Sequence, residues 1–372
     1  MQVTVTAKIK INPDSNQINL IKDTVFAYRR ACNFVSVIVF ETKNLVQTNL
    51  HKIVYKTLRE KHSMRSQMAQ SVMKTVIAKY KSTRSNKHKF SLINFKKPEY
   101  DLVWNRDYSL VKGVFSVNTL EGRIKIPFET KQMEEYFDGS WKFGTAKLVN
   151  KYGKFFLHIP MTKEFDDVKE ENINEIVGID FGINFIATAY DLKGKTTFFK
   201  GRHIKDKRAH YKRARKSLQQ KGTPSARRRL KSIGNRENRW ITDVNHSVSK
   251  ALVTEYSKNT LFVIEDLTGI RNATEKVNKK NKYVYVSWPF YQLRKMIEYK
   301  SNLNKSITIA VDPKYTSQEC PKCNHIEKKN RDKLNHKFLC KKCGYKSNDD
   351  RIGAMNLQRK GMEYISEVTK SV

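Results

Sequence analysis

One stretch decides how this chain folds: Gly178-Ile179-Asp180-Phe181-Gly182-Ile183-Asn184, an apolar strand pattern interrupted by one carboxylate. The alternation of apolar side chains resumes at 185–190 and predicts a second strand. An aspartate within such a strand is costly unless a partner compensates its charge, and a metal ion is a common partner. The alternative is a turn aspartate that joins two ordinary hairpin strands. Carboxylates in matching contexts elsewhere in the chain decide between the two interpretations.

Two further carboxylates follow at equal spacing. Glu265 ends an apolar strand and Asp350 opens the last predicted helix, with 85 residues in each interval (265 − 180 and 350 − 265). From residue 176 onward the predicted order is three strands, helix, strand, helix, strand, insert, helix. This order is typical of an α/β RNase H-like domain with a mixed sheet. The first and fourth strands are then neighbours and the last helix crosses them, so the three carboxylates converge.

Convergent carboxylates repel one another unless divalent cations hold them. Mg²⁺ prefers oxygen ligands, and two such ions (Mg²⁺ or Mn²⁺) about 4 Å apart promote phosphodiester hydrolysis. The sequence therefore predicts that Asp180, Glu265 and Asp350 together form a site for divalent cations. The alternatives are that Glu265 and Asp266 form a strand-end turn and that Asp350 caps its helix.

Four cysteines form a second candidate metal site. They lie in two Cys-x-x-Cys pairs, Cys320/Cys323 and Cys340/Cys343, with 16 residues between the pairs (324–339). This spacing predicts a zinc ribbon in which four thiolates close the coordination sphere, so its single Zn²⁺ is structural. A redox role for the pairs is the alternative. The fifth cysteine, Cys32, lies in a helical apolar pattern that predicts a buried thiol.

The composition indicates a nucleic-acid partner. The chain has 372 residues and a formal net charge of +37, from 73 Lys+Arg against 36 Asp+Glu. Such an excess of positive charge requires a polyanion. No apolar run approaches the roughly 20 residues of a membrane-spanning helix, and no signal peptide opens the chain. We therefore expect a cytoplasmic protein that has no membrane partner.

Changes in hydrophobic period divide the chain into segments. Residues 1–11 alternate as a strand, helical periodicity begins near Ser15 as a candidate cap, and short strands return after residue 100. An acidic linker at 164–174 precedes the carboxylate-bearing part. The predicted domains are a β-barrel (1–14 and 100–165), a helical domain with a crossover (15–99), the RNase H-like domain (172–316 and 347–372) and a zinc-ribbon insert (317–346).

The segment 202–239 carries 15 Lys+Arg and two acidic residues, and Gly222 and Pro224 divide it into two predicted helices. We expect these helices to follow a nucleic-acid backbone. A polar face with Gln67, Ser71 and Lys74 is a candidate for reading bases, with an ordinary solvent face as the alternative. The candidate nucleic-acid-binding residues are Lys74, Arg213, Arg215, Lys216, Arg227, Arg228 and Arg229.

Together these motifs resemble the TnpB family, transposon-encoded RNA-guided nucleases related to compact type V CRISPR effectors. Gly178-Ile-Asp180-x-Gly182 resembles the first RuvC motif, Ile264-Glu265-Asp266-Leu267 the second, and Asp350 with Asn356 the third. Tyr315-Thr316-Ser317-Gln318-x-Cys320 resembles the start of the family's zinc ribbon. One departure is visible, because Ile352-Gly353-Ala354 stands where the family commonly has Asn-Ala-Ala.

The resemblance implies an RNA-guided DNA endonuclease of the RuvC type, whose guide RNA comes from its transposon. It implies that Asp180, Glu265 and Asp350 are the catalytic residues and magnesium ligands. It implies that the β-barrel is a wedge domain, that the helical domain is a recognition lobe, and that 271–287 forms a lid. The implied target is double-stranded DNA with a short adjacent motif. The implied complex has one protein chain per guide RNA. It would act in a prokaryotic cell and associate with the nucleoid when it is bound to its target. The alternatives are a guided DNA-binding repressor or transposition regulator, a transposase proper, and a compact CRISPR effector.

Overall fold

The computed structural model describes residues 1–96, 99–131, 133–151, 153–267, 290–333 and 335–370. The chain divides into two compact units, Gln2–Glu164 and Phe165–Val372, and Met1 groups with the second. The division falls at the start of the acidic segment 164–174. In the described part of the chain, no helix combines the length and the apolar character that crossing a membrane requires. The predicted lid, 271–287, lies outside the described residues.

The first unit contains three helices between its first strand and the rest of its strands. Strand β1 spans Gln2–Ile11, and the helices are α1 (Ser15–Thr42), α2 (Gln47–Glu60) and α3 (Ser66–Ser85). The remaining strands are β2 (Tyr100–Leu102), β3 (Tyr108–Val111), β4 (Val114–Asn118), β5 (Arg123–Pro127), β6 (Lys142–Phe143), β7 (Ala146–Lys151) and β8 (Lys154–Glu164).

The strands of this unit pair as two antiparallel sheets. One has the order β1-β8-β7-β2 with β6 also on β8, and the other has the order β3-β4-β5. β1 pairs with β8 along its whole length, from Gln2 opposite Glu164 to Ile11 opposite Phe155. The helices are therefore an insertion between paired strands. Among the described strands the pairing forms two sheets joined by a bridge between Ile11 and Phe128, and the assignment of this unit as a β-barrel or sandwich stays a prediction.

The N-cap residue of the first helix lies one position before the predicted one. Asp14, and not Ser15, is the N-cap residue, because its side chain accepts a hydrogen bond from the Gln17 backbone N–H. The Gln17 side chain in turn accepts from the Asp14 backbone N–H, which completes a capping box. Sequence alone left two adjacent polar residues that both favour this position.

The second unit contains a mixed sheet, helices and a small ribbon. Its sheet strands are β9 (Glu175–Asp180), β10 (Phe185–Tyr190), β11 (Thr196–Lys200), β12 (Thr260–Glu265) and β13 (Ile307–Val311). Its helices are α4 (Arg202–Lys221), α5 (Pro224–Ile233), α6 (Arg236–Thr254), α7 (Phe290–Leu303) and α8 (Asp349–Lys370). The ribbon strands are β14 (Arg331–Asp332), β15 (Lys337–Leu339) and β16 (Lys346–Asn348).

The sheet order is β11-β10-β9-β12-β13, with β9, β10 and β11 antiparallel and β12 parallel to both β9 and β13. This is the mixed sheet that the predicted element order requires. Because the central strands carry apolar side chains on both faces, each face must be covered. One core cluster joins the sheet to α6 and α7, and a second joins the other face to α8.

Helix α8 lies very close to the first strand because glycines stand at the crossing. A Cβ atom built on Gly178 would lie 2.1 Å from the Ala354 carbonyl oxygen and 2.4 Å from the Gln358 backbone nitrogen. A Cβ on Gly361 of α8 would lie 2.5 Å from a methyl carbon of Val263. The glycine that opens the Gly178-Ile-Asp motif therefore has a packing role, since it lets the helix approach the strand that carries Asp180.

We expect Gly178→Ala to lower the free energy of unfolding by about 1–3 kcal/mol, because both obstructing atoms belong to helix backbone and neither can rotate away. Thermal or urea unfolding of the full chain measures this loss. Gly222→Ala is the matched control. Its Cβ meets nothing within 4 Å, and only its positive φ of +63° is strained, which costs about 1 kcal/mol. Equal losses in the two variants would contradict the close packing at Gly178.

The basic segment forms three helices where the sequence predicted two. Gly222 ends α4 in a left-handed conformation and Pro224 begins α5, as the sequence predicts. Gly234, at φ +44°, then ends α5 before α6 begins at Arg236. The predicted second helix runs through Gly234, because an isolated glycine in a helical pattern does not by itself show where a helix ends.

Candidate functional site

Two of the three predicted carboxylates lie at the ends of neighbouring parallel strands. Ile264 of β12 pairs with Ile179 of β9, so Glu265 and Asp180 leave the sheet at the same edge. Asp180 also starts a tight hairpin, in which the Gly182 N–H donates to the Phe185 carbonyl oxygen at 3.0 Å. The segment therefore forms a tight turn, as one interpretation expected, and also places the Asp180 carboxylate beside Glu265, as the other expected.

The third carboxylate comes from the first turn of α8. Asn348 caps this helix, because its side-chain oxygen accepts from the backbone N–H groups of Asp350 at 3.0 Å and Arg351 at 3.1 Å. The Asp350 side chain is consequently not needed as a cap. One turn further along, a Cβ atom on Gly353 would lie 2.8 Å from Asp180 Cγ. The helix that carries Asp350 therefore packs directly on the Asp180 carboxylate.

Electrostatics show that the three carboxylates share one environment. Burial raises the pKa of Asp180 well above its usual value, and the negative charges of Glu265 and Asp350 raise it further. Burial likewise raises the pKa of Glu265, against a lowering effect from the Thr316 hydroxyl and from Arg331. Burial, followed by the charge of Asp349, raises the pKa of Asp350 to about 6.

The donor set fits a hard divalent cation. Its members are carboxylate oxygens, which Mg²⁺ and Mn²⁺ prefer, and the raised pKa values mean that the ionised cluster lacks sufficient compensating charge. A bound cation supplies that charge and lowers the cost of ionisation. The assignment of Asp180, Glu265 and Asp350 as its ligands stays a prediction.

The Arg331 guanidinium lies beside this cluster, and no sequence motif points to it. Its Nε lies 2.8 Å from Asp349 Oδ2, and its Nη2 lies 3.8 Å from Asp350 Oδ1. Asp349 is fully buried and also faces His336, whose Nδ1 is 3.5 Å from the second carboxylate oxygen. Asp349 is therefore held by the ribbon, whereas Asp350 is left to face the first strand. In the sequence, Arg331 is only one basic residue between the two cysteine pairs. Because the whole chain is rich in Lys and Arg, its position did not distinguish it.

The four cysteines form a compact cluster of sulfur atoms. All four Sγ atoms lie within 4.8 Å of one another, and the distances Cys320–Cys343 and Cys323–Cys340 are both 3.6 Å. Four sulfurs about 2.3 Å from a central zinc are separated by about 3.8 Å in tetrahedral geometry. The cluster therefore fits a structural zinc, with four thiolates and no need for a histidine ligand.

The two cysteine pairs have the same backbone turn. Cys320 N–H donates to His325 and Cys340 N–H donates to Tyr345, at 3.0 and 2.9 Å. The residue after each pair has a positive φ, +72° at Gly344 and +57° at Asn324. Glycine and asparagine are the residues that tolerate this conformation best. Only the glycine was recognisable in advance as a turn residue.

The predicted nucleic-acid-binding residues divide into exposed and engaged side chains. Arg215 differs from the others because its Nη1 lies 2.5 Å from Glu237 Oε2, and Arg208 contacts the other oxygen of this buried glutamate. This cluster fastens α4 to α6. Ser71 is 2% exposed, so it does not share an accessible face with Lys74. The exposed members of the set are Lys74, Arg213, Lys216, Arg227, Arg228 and Arg229.

The raised pKa of Asp350 predicts a pH-dependent stability in the absence of divalent cations. Between the ordinary aspartate pKa of 3.8 and its folded value of about 6, the folded chain binds the extra proton, so stability falls as pH rises. We expect Asp350→Asn to be as stable as wild type near pH 4 and more stable by about 1–3 kcal/mol above pH 7. Thermal unfolding in buffers without added Mg²⁺ tests this. A variant that is no more stable at pH 7.5 would contradict the burial of an uncompensated charge.

Two family models match the parts of the chain that carry these sites. Residues 158–276 match the OrfB_IS605 family, described as "Probable transposase", and include Asp180 and Glu265. Residues 290–357 match the "Cas12f1-like, TNB domain" family and include the four cysteines and Asp350. The two matches are adjacent and together span most of the second unit.

Two relatives have similar sequences over longer segments. The CRISPR-associated endodeoxyribonuclease Cas12f1 of Syntrophomonas palmitatica is 25% identical over 281 residues, which are 70% of this chain and 55% of the relative. The TnpB-like protein MJ0751 of Methanocaldococcus jannaschii is 29% identical over 245 residues, 63% of this chain and 84% of the relative. The chain thus spans about half the length of the Cas12f1 protein and most of the TnpB-like protein.

The fold resembles that of a solved complex. The protein chain in the cryo-EM structure of the Cas12f1-sgRNA-target DNA complex superimposes with a TM-score of 0.57 and 13% sequence identity, covering 92% of this chain and 81% of that chain. At this identity the similarity shows a shared multi-domain fold. Residues 158–276 thus match the OrfB_IS605 family and residues 290–357 match the Cas12f1-like TNB domain, and the chain is a relative of the Cas12f and TnpB RNA-guided nucleases.

Proposed function

We propose that this protein is an RNA-guided, metal-dependent DNA endonuclease that hydrolyses phosphodiester bonds at the Asp180–Glu265–Asp350 site. The observation that carries the proposal is the convergence of three carboxylates, from two strand ends and one helix start. Burial and the charges of Glu265 and Asp350 raise the pKa of Asp180. Relatives named as an endodeoxyribonuclease and as a TnpB-like protein support the reaction class.

The residues of the site have distinct tasks in this proposal. Asp180, Glu265 and Asp350 hold two divalent cations, which when bound activate water and stabilise the leaving oxygen. Arg331 is ion-paired with Asp349 and places one positive charge near Asp350. Gly353 allows α8 to approach the Asp180 carboxylate, which accounts for the departure from the family pattern.

The retained carboxylates favour cleavage over a purely regulatory role. A guided repressor needs to bind RNA and DNA but has no use for three acidic side chains buried together at a cost. The structural neighbour is a complex with guide RNA and target DNA, and the net charge of +37 suits such polyanions. Base pairing reads the target in such systems, and the protein reads backbone shape and a short adjacent motif.

Purification from cells that express the native locus tests the proposal. RNA that copurifies is sequenced, and plasmids bearing a matching target are incubated with the complex, with and without Mg²⁺. We expect one discrete RNA and Mg²⁺-dependent cleavage of the matched plasmid. A preparation with no discrete RNA contradicts guided activity, and a complex that binds its target without cutting it supports the repressor instead.

Two arginines in α4 provide a matched pair for the nucleic-acid surface. Arg213 is exposed, whereas Arg215 is ion-paired with Glu237. We expect Arg213→Ala to weaken RNA binding and to reduce the slope of log K against log salt concentration by about 1. Arg215→Ala should instead lower thermal stability, because it removes a partner from a buried glutamate. Filter binding at several salt concentrations measures the first effect. Identical salt slopes for wild type and Arg213→Ala would contradict a backbone contact.

A further inference from the structure

The side chain of Thr316 contacts the carboxylate site, although Thr316 belongs to the sequence signature of the cysteine ribbon. Its Oγ1 lies 2.5 Å from Glu265 Oε1 and 3.0 Å from the Pro313 carbonyl oxygen. A hydroxyl has one proton to donate, and the shorter contact to a carboxylate is the stronger hydrogen bond. The hydroxyl proton therefore lies on the Glu265 side.

Thr316 is itself held in place from the opposite direction. Asn356 donates from Nδ2 to the carbonyl oxygens of Thr316 at 2.7 Å and Glu319 at 2.9 Å. Asn356 is 0% and Thr316 is 2% exposed, so water does not compete for these bonds. Asn356 belongs to α8, the helix that also carries Asp350. The segment that leads into Cys320 is thus hydrogen-bonded to Glu265 at a strand end and to α8, the helix that carries Asp350.

We propose that Thr316 is a positioning residue for Glu265 and that Asn356 anchors Thr316. A glutamate side chain at a strand end has several rotamers, and a cation that binds it must remove that freedom. A hydrogen bond to one carboxylate oxygen restricts the side chain in advance, as the partners of metal ligands do. This inference rests on the proposed function, because it assumes that Glu265 binds a divalent cation.

The position of Thr316 also connects the cysteine ribbon to the carboxylate site. Cys320, four residues after Thr316, is a member of the sulfur cluster, and Arg331 reaches Asp349 from the same ribbon. Zinc held by the four cysteines would thereby fix two groups that contact the carboxylate site.

Thr316→Val and Thr316→Ser separate the hydroxyl from the packing of the side chain. Valine keeps the shape and removes the hydrogen bond, whereas serine keeps the hydrogen bond. Thr308→Val is the control, because Thr308 lies on β13 of the same sheet and its hydroxyl contacts Ser301 Oγ of α7 at 2.8 Å. Mn²⁺ binding is measured by electron paramagnetic resonance on the full-length protein after RNA is removed at high salt. Zinc content and melting temperature are measured in parallel.

We expect the Mn²⁺ dissociation constant of Thr316→Val to rise about tenfold, with zinc content unchanged. Thr316→Ser and Thr308→Val should stay within about twofold of wild type. In the RNA complex, the Mg²⁺ concentration that gives half-maximal cleavage should rise by the same factor in Thr316→Val. If Thr316→Val loses zinc, the same comparison is made between Thr316→Ser and Thr316→Ala.

A double-mutant cycle tests whether Thr316 acts through Glu265. In a Glu265→Gln background, Thr316→Val should weaken Mn²⁺ binding no further. A second, independent tenfold loss there overturns the inference, as does wild-type Mn²⁺ affinity in Thr316→Val or an equally weak Thr316→Ser. Wild-type protein that binds no Mn²⁺ and cleaves no DNA contradicts the proposed function itself. Intact wild-type binding with an unaffected Thr316→Val contradicts only the positioning role.

Discussion

Asp180→Ala should abolish target cleavage, with a loss of at least about 1,000-fold, while target binding by the RNA complex stays within about twofold of wild type. Asp180 has the central position, since the charges of both other carboxylates raise its pKa. Its removal leaves Glu265 and Asp350 without the carboxylate on which both of their charges act. End-labelled DNA cleavage in Mg²⁺ measures the loss, and gel-shift titration without Mg²⁺ measures binding.

Asp266→Ala is the matched control for this experiment. Asp266 directly follows Glu265, but its side chain is 46% exposed and ion-paired with Arg294 at 2.8 Å. We expect this variant to cleave at close to the wild-type rate, because an exposed ion pair contributes little. An Asp180→Ala protein that folds but no longer binds its target would contradict the catalytic assignment, as would one that still cleaves.

Cys340→Ser should reduce bound zinc from one per chain to near zero and should unfold the ribbon. Cys340 is 2% exposed and its Sγ accepts from the Cys343 backbone N–H at 3.4 Å, so serine cannot replace its role in the cluster. Structural zinc binding supplies on the order of 10 kcal/mol to such segments. Because Arg331 and Thr316 are held by this ribbon, cleavage should also fall, by about 100-fold or more. Metal analysis by mass spectrometry and thermal unfolding measure the two primary effects.

Cys32→Ala distinguishes the cluster from a general loss of thiols. Cys32 is buried in the helical part of the first unit, and burial raises its thiol pKa. This variant should keep one zinc per chain and lose about 1 kcal/mol of stability from the smaller side chain. A Cys340→Ser protein that is as stable as wild type and still binds zinc would show that the cluster is not a structural metal site.

Sequence reasoning identified the residues of the site more completely than it identified their supports. Asp180, Glu265 and Asp350 each interrupt or end an apolar pattern, which makes an acidic residue conspicuous. Thr316 and Arg331 have no such contrast, because a threonine in a loop and an arginine in a basic chain are both ordinary. Their importance depends on contacts across 51 and 18 residues of sequence, to Glu265 and Asp349 respectively.

The same limit applies to the basic residues. Arg213 and Arg215 are equivalent in composition and lie two positions apart on α4. One is exposed and the other is paired with Glu237. The difference depends on where α6 passes, which helical periodicity does not specify. Likewise, alternating strand patterns after residue 100 predicted strands, but not which strand pairs with which.

The sequence by itself determined the periods of the strands, the cysteine spacing and the three acidic contexts, because each of these is a local pattern with a local physical cause. Only the tertiary structure decided which carboxylate faces the first strand. Asp349 and Asp350 are adjacent and chemically identical, but Arg331 holds Asp349 and Asn348 caps the helix. Asp350 is thereby left beside Asp180, at a crossing that the absence of a side chain on Gly178 and Gly353 permits.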